Sequence, residues 1–269
     1  MPRMNGHCTP EWITGLEEFV GDQLFAQLEA WQGSTPWGEV LDAGTGEHSL
    51  RWIMGLTTTR WTAVTGDVRR KNTLEAQFAD QMRSDDRVVV GNWRDPIMLH
   101  NERYDVVLAD YLIGAIDGFA PYFQDQLLTR LRPFVRGRLY IVGLEPYPDH
   151  TPNPGGALIL EIARLRDACI LLAGHRCYRE YPMDWVIRQL GLAGFVVDDA
   201  IKMPILYSER FIRSQLGVCR RKLPHFKDAA LAHQMGQHID TLEKRALDWL
   251  STSGRIGFGE DYLVMARPV

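Results

Sequence analysis

At 269 residues and 45% hydrophobic content, the chain is long enough for one well-cored domain of roughly 150–200 residues plus an appendage, and too apolar for disorder. A formal charge of −4 without long Lys/Arg runs argues against a nucleic-acid backbone as the default partner, and Arg69-Arg70-Lys71 and Arg220-Arg221-Lys222 read as solvated helix surface. Cys8, Cys169, Cys177 and Cys219 form no C-x-x-C pair, the histidines have no metal-ligand spacing, and no apolar run reaches the ~20 residues of a membrane span. The expectation is a cytoplasmic protein without disulfides, metal or membrane contact, either a monomer or a homodimer.

Residues 10–32 place Trp12, Leu16, Phe19, Val20, Leu24, Phe25, Leu28 and Trp31 at helical spacing, bounded by Thr9-Pro10 and Gly33. Next, Glu39-Val40-Leu41-Asp42-Ala43-Gly44-Thr45-Gly46-Glu47-His48-Ser49-Leu50 reads as an apolar strand, a glycine turn and the first turn of a helix. Gly44 and Gly46 can take φ > 0 and let a ligand approach without a Cβ in the way, while the helix opening presents free N–H groups. A dinucleotide site would bring a pyrophosphate to this turn, where the Asp42 carboxylate repels it. An ammonium group would be attracted instead, and the adenosyl cofactor that carries an ammonium, a ribose and no phosphate is S-adenosylmethionine.

Val40-Leu41-Asp42-Ala43-Gly44-Thr45-Gly46-Glu47-His48 resembles the first motif of the class I S-adenosylmethionine-dependent methyltransferases, apolar-apolar-Asp/Glu-x-Gly-x-Gly-x-Gly, with His48 in place of the third glycine. The resemblance implies a Rossmann-like α/β fold: a seven-stranded, mostly parallel sheet whose last strand is antiparallel, with helices on both faces. It also implies that the N-terminal helix can lie over the cofactor, while its aromatic stripe reads first as core packing.

The remaining strands follow in order. Arg60–Asp67 ends in an acid about 20 residues beyond Gly46, the spacing of a carboxylate that receives ribose hydroxyls; Val68 adjoins it. After a helix at 71–83, Asp86–Pro96 is a β-branched strand. The family resemblance puts Asn92 at the adenine, where its amide oxygen can accept from the exocyclic amine, and Trp93 either stacks on that ring or only packs. Tyr104–Tyr111 forms a fourth strand with Asp110 and Tyr111 at its carboxyl end, facing the reacting centre. A helix at 119–132 leads to a fifth strand, Arg138–Glu145.

A Pro/Gly-rich loop covers 146–156, then helices are expected at 157–173 and 182–192, a sixth strand at 194–200 and a seventh at 261–267. Between the last two strands, the segment 205–258 carries helical patterns at 208–222 and 228–251. This insertion reads as a cap that helps define the acceptor, or as an oligomerisation surface, within a single domain spanning 1–269.

A sulfonium methyl is already activated, so alignment in a dry site matters more than any one side chain. Asp110, Glu145 and His150 are the candidate bases. Tyr147, Tyr178, Tyr181 and Tyr207 are candidate substrate contacts. The reading that follows is methyl transfer to an oxygen or nitrogen of a small-molecule acceptor. A non-catalytic scaffold on the cofactor fold and a nicotinamide-dependent oxidoreductase are the alternatives.

Overall fold

The computed structural model describes residues 20–269. The strands β1 (Glu39–Asp42), β2 (Arg60–Thr65), β3 (Arg87–Val90), β4 (Tyr104–Asp110), β5 (Val135–Leu144), β6 (Phe195–Tyr207) and β7 (Ile256–Pro268) form one sheet in the order β3-β2-β1-β4-β5-β7-β6. β1 to β5 pair in parallel, and β7 runs antiparallel against β5, Leu139 opposite Ala266 through Leu144 opposite Asp261. The central strands are apolar on both faces because parallel strands here are covered on both sides by helices. The strand order turns back at β1 and β4, which opens a crevice beyond the carboxyl ends of those strands.

Two compact units divide the chain. One comprises Gly21–Glu145, Tyr178–Met203 and Asp261–Val269, and the other, among the described residues, Val20, Pro146–Cys177 and Pro204–Glu260. The core of the first unit joins Leu41, Val64, Val107, Leu127, Leu139, Ile141, Val186 and Val264, all nearly inaccessible to solvent. At ~1.5–3 kcal/mol for each fully buried aliphatic side chain, this cluster is the main source of the unit's stability. Its helices include α1 (Val20–Gln32), α2 (Glu47–Gly55), α3 (Val68–Phe78) and α7 (Met183–Leu192). In the second unit α6 (Pro154–Leu172) packs against α8 (Glu209–Lys222) and α9 (Ala229–Ser253), the two helices inserted between β6 and β7. Its Cys169 and Cys219 are buried free thiols on α6 and α8, hydrogen-bonded to each other.

The seven strands and the helical insertion agree with the sequence reading, and most differences are at element ends. Residues 10–19 of the expected 10–32 helix, and Cys8, lie outside the described residues. The helix expected at 119–132 is shorter, α5 (Gln124–Leu131), and before it stand α4 (Leu112–Ala115) and a 3-10 turn at Ile116–Gly118 that the sequence reading did not expect. Gly118 and Pro121 interrupt the helical pattern, Tyr122 takes a positive φ of 64°, and Asp117 accepts hydrogen bonds from Tyr122 N and Gln124 Nε2. β6 continues to Tyr207, well past the expected end at 200, and β7 starts five residues early. Among the described residues no helix is long and apolar enough to cross a membrane.

Candidate active site

The turn after β1 is held from inside. Asp42 is 1% exposed; its Oδ2 accepts from Ser49 Oγ at 2.7 Å and its Oδ1 from Gly44 N at 3.4 Å. Burial pushes this carboxyl up to about 6, against the hydrogen bonds from Ser49, Thr45 and Gly44 that pull it down. Ser49 is also the third residue of α2, and its hydroxyl accepts from Gly46 N at 3.1 Å, closing the helix start. Thr45 N donates to Val64 O at 2.8 Å, tying the turn to β2. Asp42 thus acts as the turn's internal brace and as a buried acid beneath it.

The glycines also act differently from the expectation. Neither Gly44 nor Gly46 has a positive φ, and Gly46 is extended at φ −116°. Gly44 is small because Leu112 is close; a Cβ would lie 2.8 Å from Leu112 Cδ1. His48, at the third glycine position, stacks on Phe25 of α1 with ring centroids 5.0 Å apart, and Phe25 stacks on Trp52 at 4.4 Å.

Asp67 caps α3, its Oδ1 accepting from Arg69 N at 2.7 Å; its Oδ2 has no hydrogen bond among the described residues and remains available. Val68, 58% exposed, follows on the first turn. Asn92 gives Nδ2–H to Phe119 O at 2.8 Å and accepts from Arg94 N at 3.0 Å through Oδ1, so one lone pair of that oxygen is left. Trp93 is a core residue: it is 2% exposed, its Nε1–H donates to Ala43 O at 2.7 Å, and no ring face is open for stacking. The sequence missed Phe119. A Cβ on Gly66, just after β2, would collide with its ring, so Phe119 lies beside both Gly66 and Asn92.

Asp110 ends β4, half-buried, in register with Val142 of β5. Tyr111, the next residue, is a non-glycine with φ 45° and ψ 18°, a left-handed conformation that costs on the order of 1 kcal/mol. It turns a buried hydroxyl to Asp261 Oδ1 at 2.8 Å. Burial raises the Asp261 carboxyl to about 7, against the Tyr111 hydrogen bond that pulls it down.

Of the other candidates, Glu145 is committed to structure: its Oε1 accepts from Met183 N at 3.0 Å, capping α7, and pairs with Lys202 Nζ at 2.8 Å. Tyr181 packs on Trp185 with centroids 4.1 Å apart, its carbonyl accepting from Tyr262 Oη at 3.0 Å, and Tyr178 lies against Gly118. Tyr147 and Tyr207 are in the other unit, their hydroxyls hydrogen-bonded to each other, with Tyr207 fully buried beside Phe211. Exposed His150 belongs to that unit too, in a cavity of about 620 Å³ with Asp149, Arg164 and His238. The four tyrosines thus fall into two pairs, one in each unit.

Compared by sequence, the chain matches no family model and no curated protein. By structure it is similar to BH2331 of Bacillus halodurans, named as a candidate methyltransferase, with a TM-score of 0.60 and 14% identity over 93% of this chain and 100% of that one. The fold is that of the class I S-adenosylmethionine-dependent methyltransferases. The mycolic acid cyclopropane synthase CmaA1, complexed with S-adenosylhomocysteine and CTAB, is similar at a TM-score of 0.53 and 15% identity, covering 96% of this chain and 94% of that one. An N-methyltransferase of Haemonchus contortus, in complex with phosphomonomethylethanolamine and S-adenosylhomocysteine, gives 0.52 and 14%, covering 92% of this chain and 53% of that one. In terms of this methyltransferase fold, the glycine turn, Asp67 and Asn92 stand after β1, β2 and β3 respectively and Asp110 at the end of β4, all at one sheet edge.

Proposed function

We propose that the protein is an S-adenosylmethionine-dependent methyltransferase that acts on an oxygen or nitrogen of a small-molecule acceptor. The observation that carries this reading is the pairing, across neighbouring strands, of a braced glycine turn with a carboxylate that keeps one oxygen free, Asp67 Oδ2. The residues fit the cofactor: the nine-residue helix α2 opens at the turn with N–H groups suited to the amino-acid carboxylate, and the buried charge of Asp42 favours the positive tail over a diphosphate. Asp67 would receive ribose hydroxyls, the remaining lone pair of Asn92 Oδ1 the adenine amine, and the Phe119 ring the adenine face.

When bound, the cofactor supplies a methyl group on a sulfonium, an electrophile that needs no further activation. The protein's part is to orient. Asp110 and Tyr111 sit where β4 ends, and the left-handed turn at Tyr111 fixes that edge against Leu112 and Gly44. The neighbours bound to S-adenosylhomocysteine support the same cofactor. Native mass spectrometry of the purified chain, with calorimetric titration of S-adenosylhomocysteine, tests the proposal. Micromolar binding is expected; binding of reduced nicotinamide dinucleotide instead would overturn it.

A further inference from the structure

Asp261 pairs opposite Leu144 at the end of β5, is 0% exposed, and has one oxygen engaged by Tyr111. Its other oxygen, Oδ2, is buried with no hydrogen-bond partner among the described residues. Leaving a buried acceptor unmet is costly, more so for a charged one, so the orphaned oxygen calls for a donor.

The surrounding charges narrow what that donor is. The Tyr111 hydroxyl is held well above its usual range by burial first, then by the negative charges of Asp261, Asp110 and Glu180. Tyr262, the next residue on β7, is raised by burial and then by Glu180, Glu145 and Asp261. Gly114 of α4 makes room for the Glu180 carboxylate, with which a Cβ would collide. Lys202 of β6 answers Glu145, and among the described residues no cation pairs with Asp261. Besides Asp261 itself, three carboxylates, Asp110 at the end of β4, Glu145 just after β5 and paired with Lys202, and Glu180 before α7, bring negative charge to the surroundings of this one unmet oxygen. An anion is repelled there, a neutral alcohol gains little, and a charged N–H is attracted while it supplies the missing hydrogen bond.

We infer that Asp261 Oδ2 receives the N–H of a protonated amine, so that the acceptor is a basic amine and the atom methylated is nitrogen. This rests on the methyl-transfer reading above. In the reaction the ammonium passes one proton to the Asp261 carboxylate. The freed nitrogen lone pair then forms the N–C bond while the C–S bond of the sulfonium donor breaks and its electron pair stays on sulfur. The methylated nitrogen carries the positive charge that sulfur loses, and the proton stays on Asp261 until the product departs.

Thermal melting of the full chain at about pH 8, with methylammonium chloride and with phenethylammonium chloride, each against sodium chloride at equal ionic strength, tests the assignment. At saturating concentration at least one amine raises Tm by roughly 2–5 °C in the wild type and in the exposed-acid control Asp199→Asn, and by nothing in Asp261→Asn, which keeps an oxygen for Tyr111. No protection by either amine, or equal protection in Asp261→Asn, overturns the inference. Calorimetry with S-adenosylhomocysteine on the same samples separates the two readings. Cofactor binding without amine protection sinks the amine alone, whereas amine protection without cofactor binding sinks methyl transfer and leaves the amine site standing.

Discussion

Replacing Asp261 with asparagine keeps an acceptor for the Tyr111 hydroxyl and deletes a charge that burial disfavours. Burial raises the carboxyl from 3.8 to about 7. At ~1.36 kcal/mol per pKa unit, the ionised form costs the folded chain on the order of 4 kcal/mol. Between those two values the folded chain holds a proton on Asp261 that the unfolded chain has released. Wild-type stability therefore falls as pH rises through the window and levels off above about 7. The asparagine variant lacks this slope. From about pH 5.5 to about pH 8 the wild type loses roughly 2 kcal/mol that the variant keeps, and groups common to both chains, Asp42 among them, cancel in the difference. Urea unfolding of both chains at the two pH values, followed by tryptophan fluorescence, measures it. If the two chains lose stability in parallel, Asp261 is not an acid whose ionisation burial resists.

Three further perturbations address the turn and the ribose carboxylate. Asp67→Ala raises the dissociation constant for S-adenosylhomocysteine by roughly 5- to 150-fold in calorimetry, while Asp67→Ser, which retains a cap for α3, separates this loss from helix fraying; unchanged affinity in both would place the ribose elsewhere. Gly44→Val pushes a side chain into Leu112 and abolishes cofactor binding in the same assay, and wild-type affinity would refute the cradle. Ser49→Ala removes the donor that pulls the Asp42 carboxyl down and so lifts it above its present value of about 6. The variant is less stable by about 1–3 kcal/mol, and because the ionised form of Asp42 suffers the loss, the deficit is larger at about pH 8 than at about pH 5; a deficit independent of pH would show that Asp42 stays protonated.

The sheet was legible because its signal is local. Val40-Leu41, Ala63-Val64 and Val106-Val107-Leu108 are apolar runs ended by Asp42, Asp67 and Asp110, and each run needs only its neighbours to be recognised. The glycine turn was legible as a place, whereas its brace was not, since Ser49 reaches back seven residues to hydrogen-bond Asp42. Trp93 carries the same lesson, because its indole is fixed by Ala43, 50 residues earlier in the chain. Asp261 was invisible. Its partner Tyr111 stands 150 residues away, and an acid entering an apolar strand reads as a surface residue until the pairing of β5 with β7 buries it.

The aromatic pile of Phe25, His48 and Trp52 bears on how such turns are recognised at all. A pattern that insists on a third glycine would discard this chain, although the bulk of His48 is absorbed by a ring on the preceding helix. The better criterion is a correlated pair, an imidazole or other flat group at the third position together with an aromatic residue about two dozen positions upstream. Related chains should exchange the two together, either keeping both or reverting to glycine and an aliphatic.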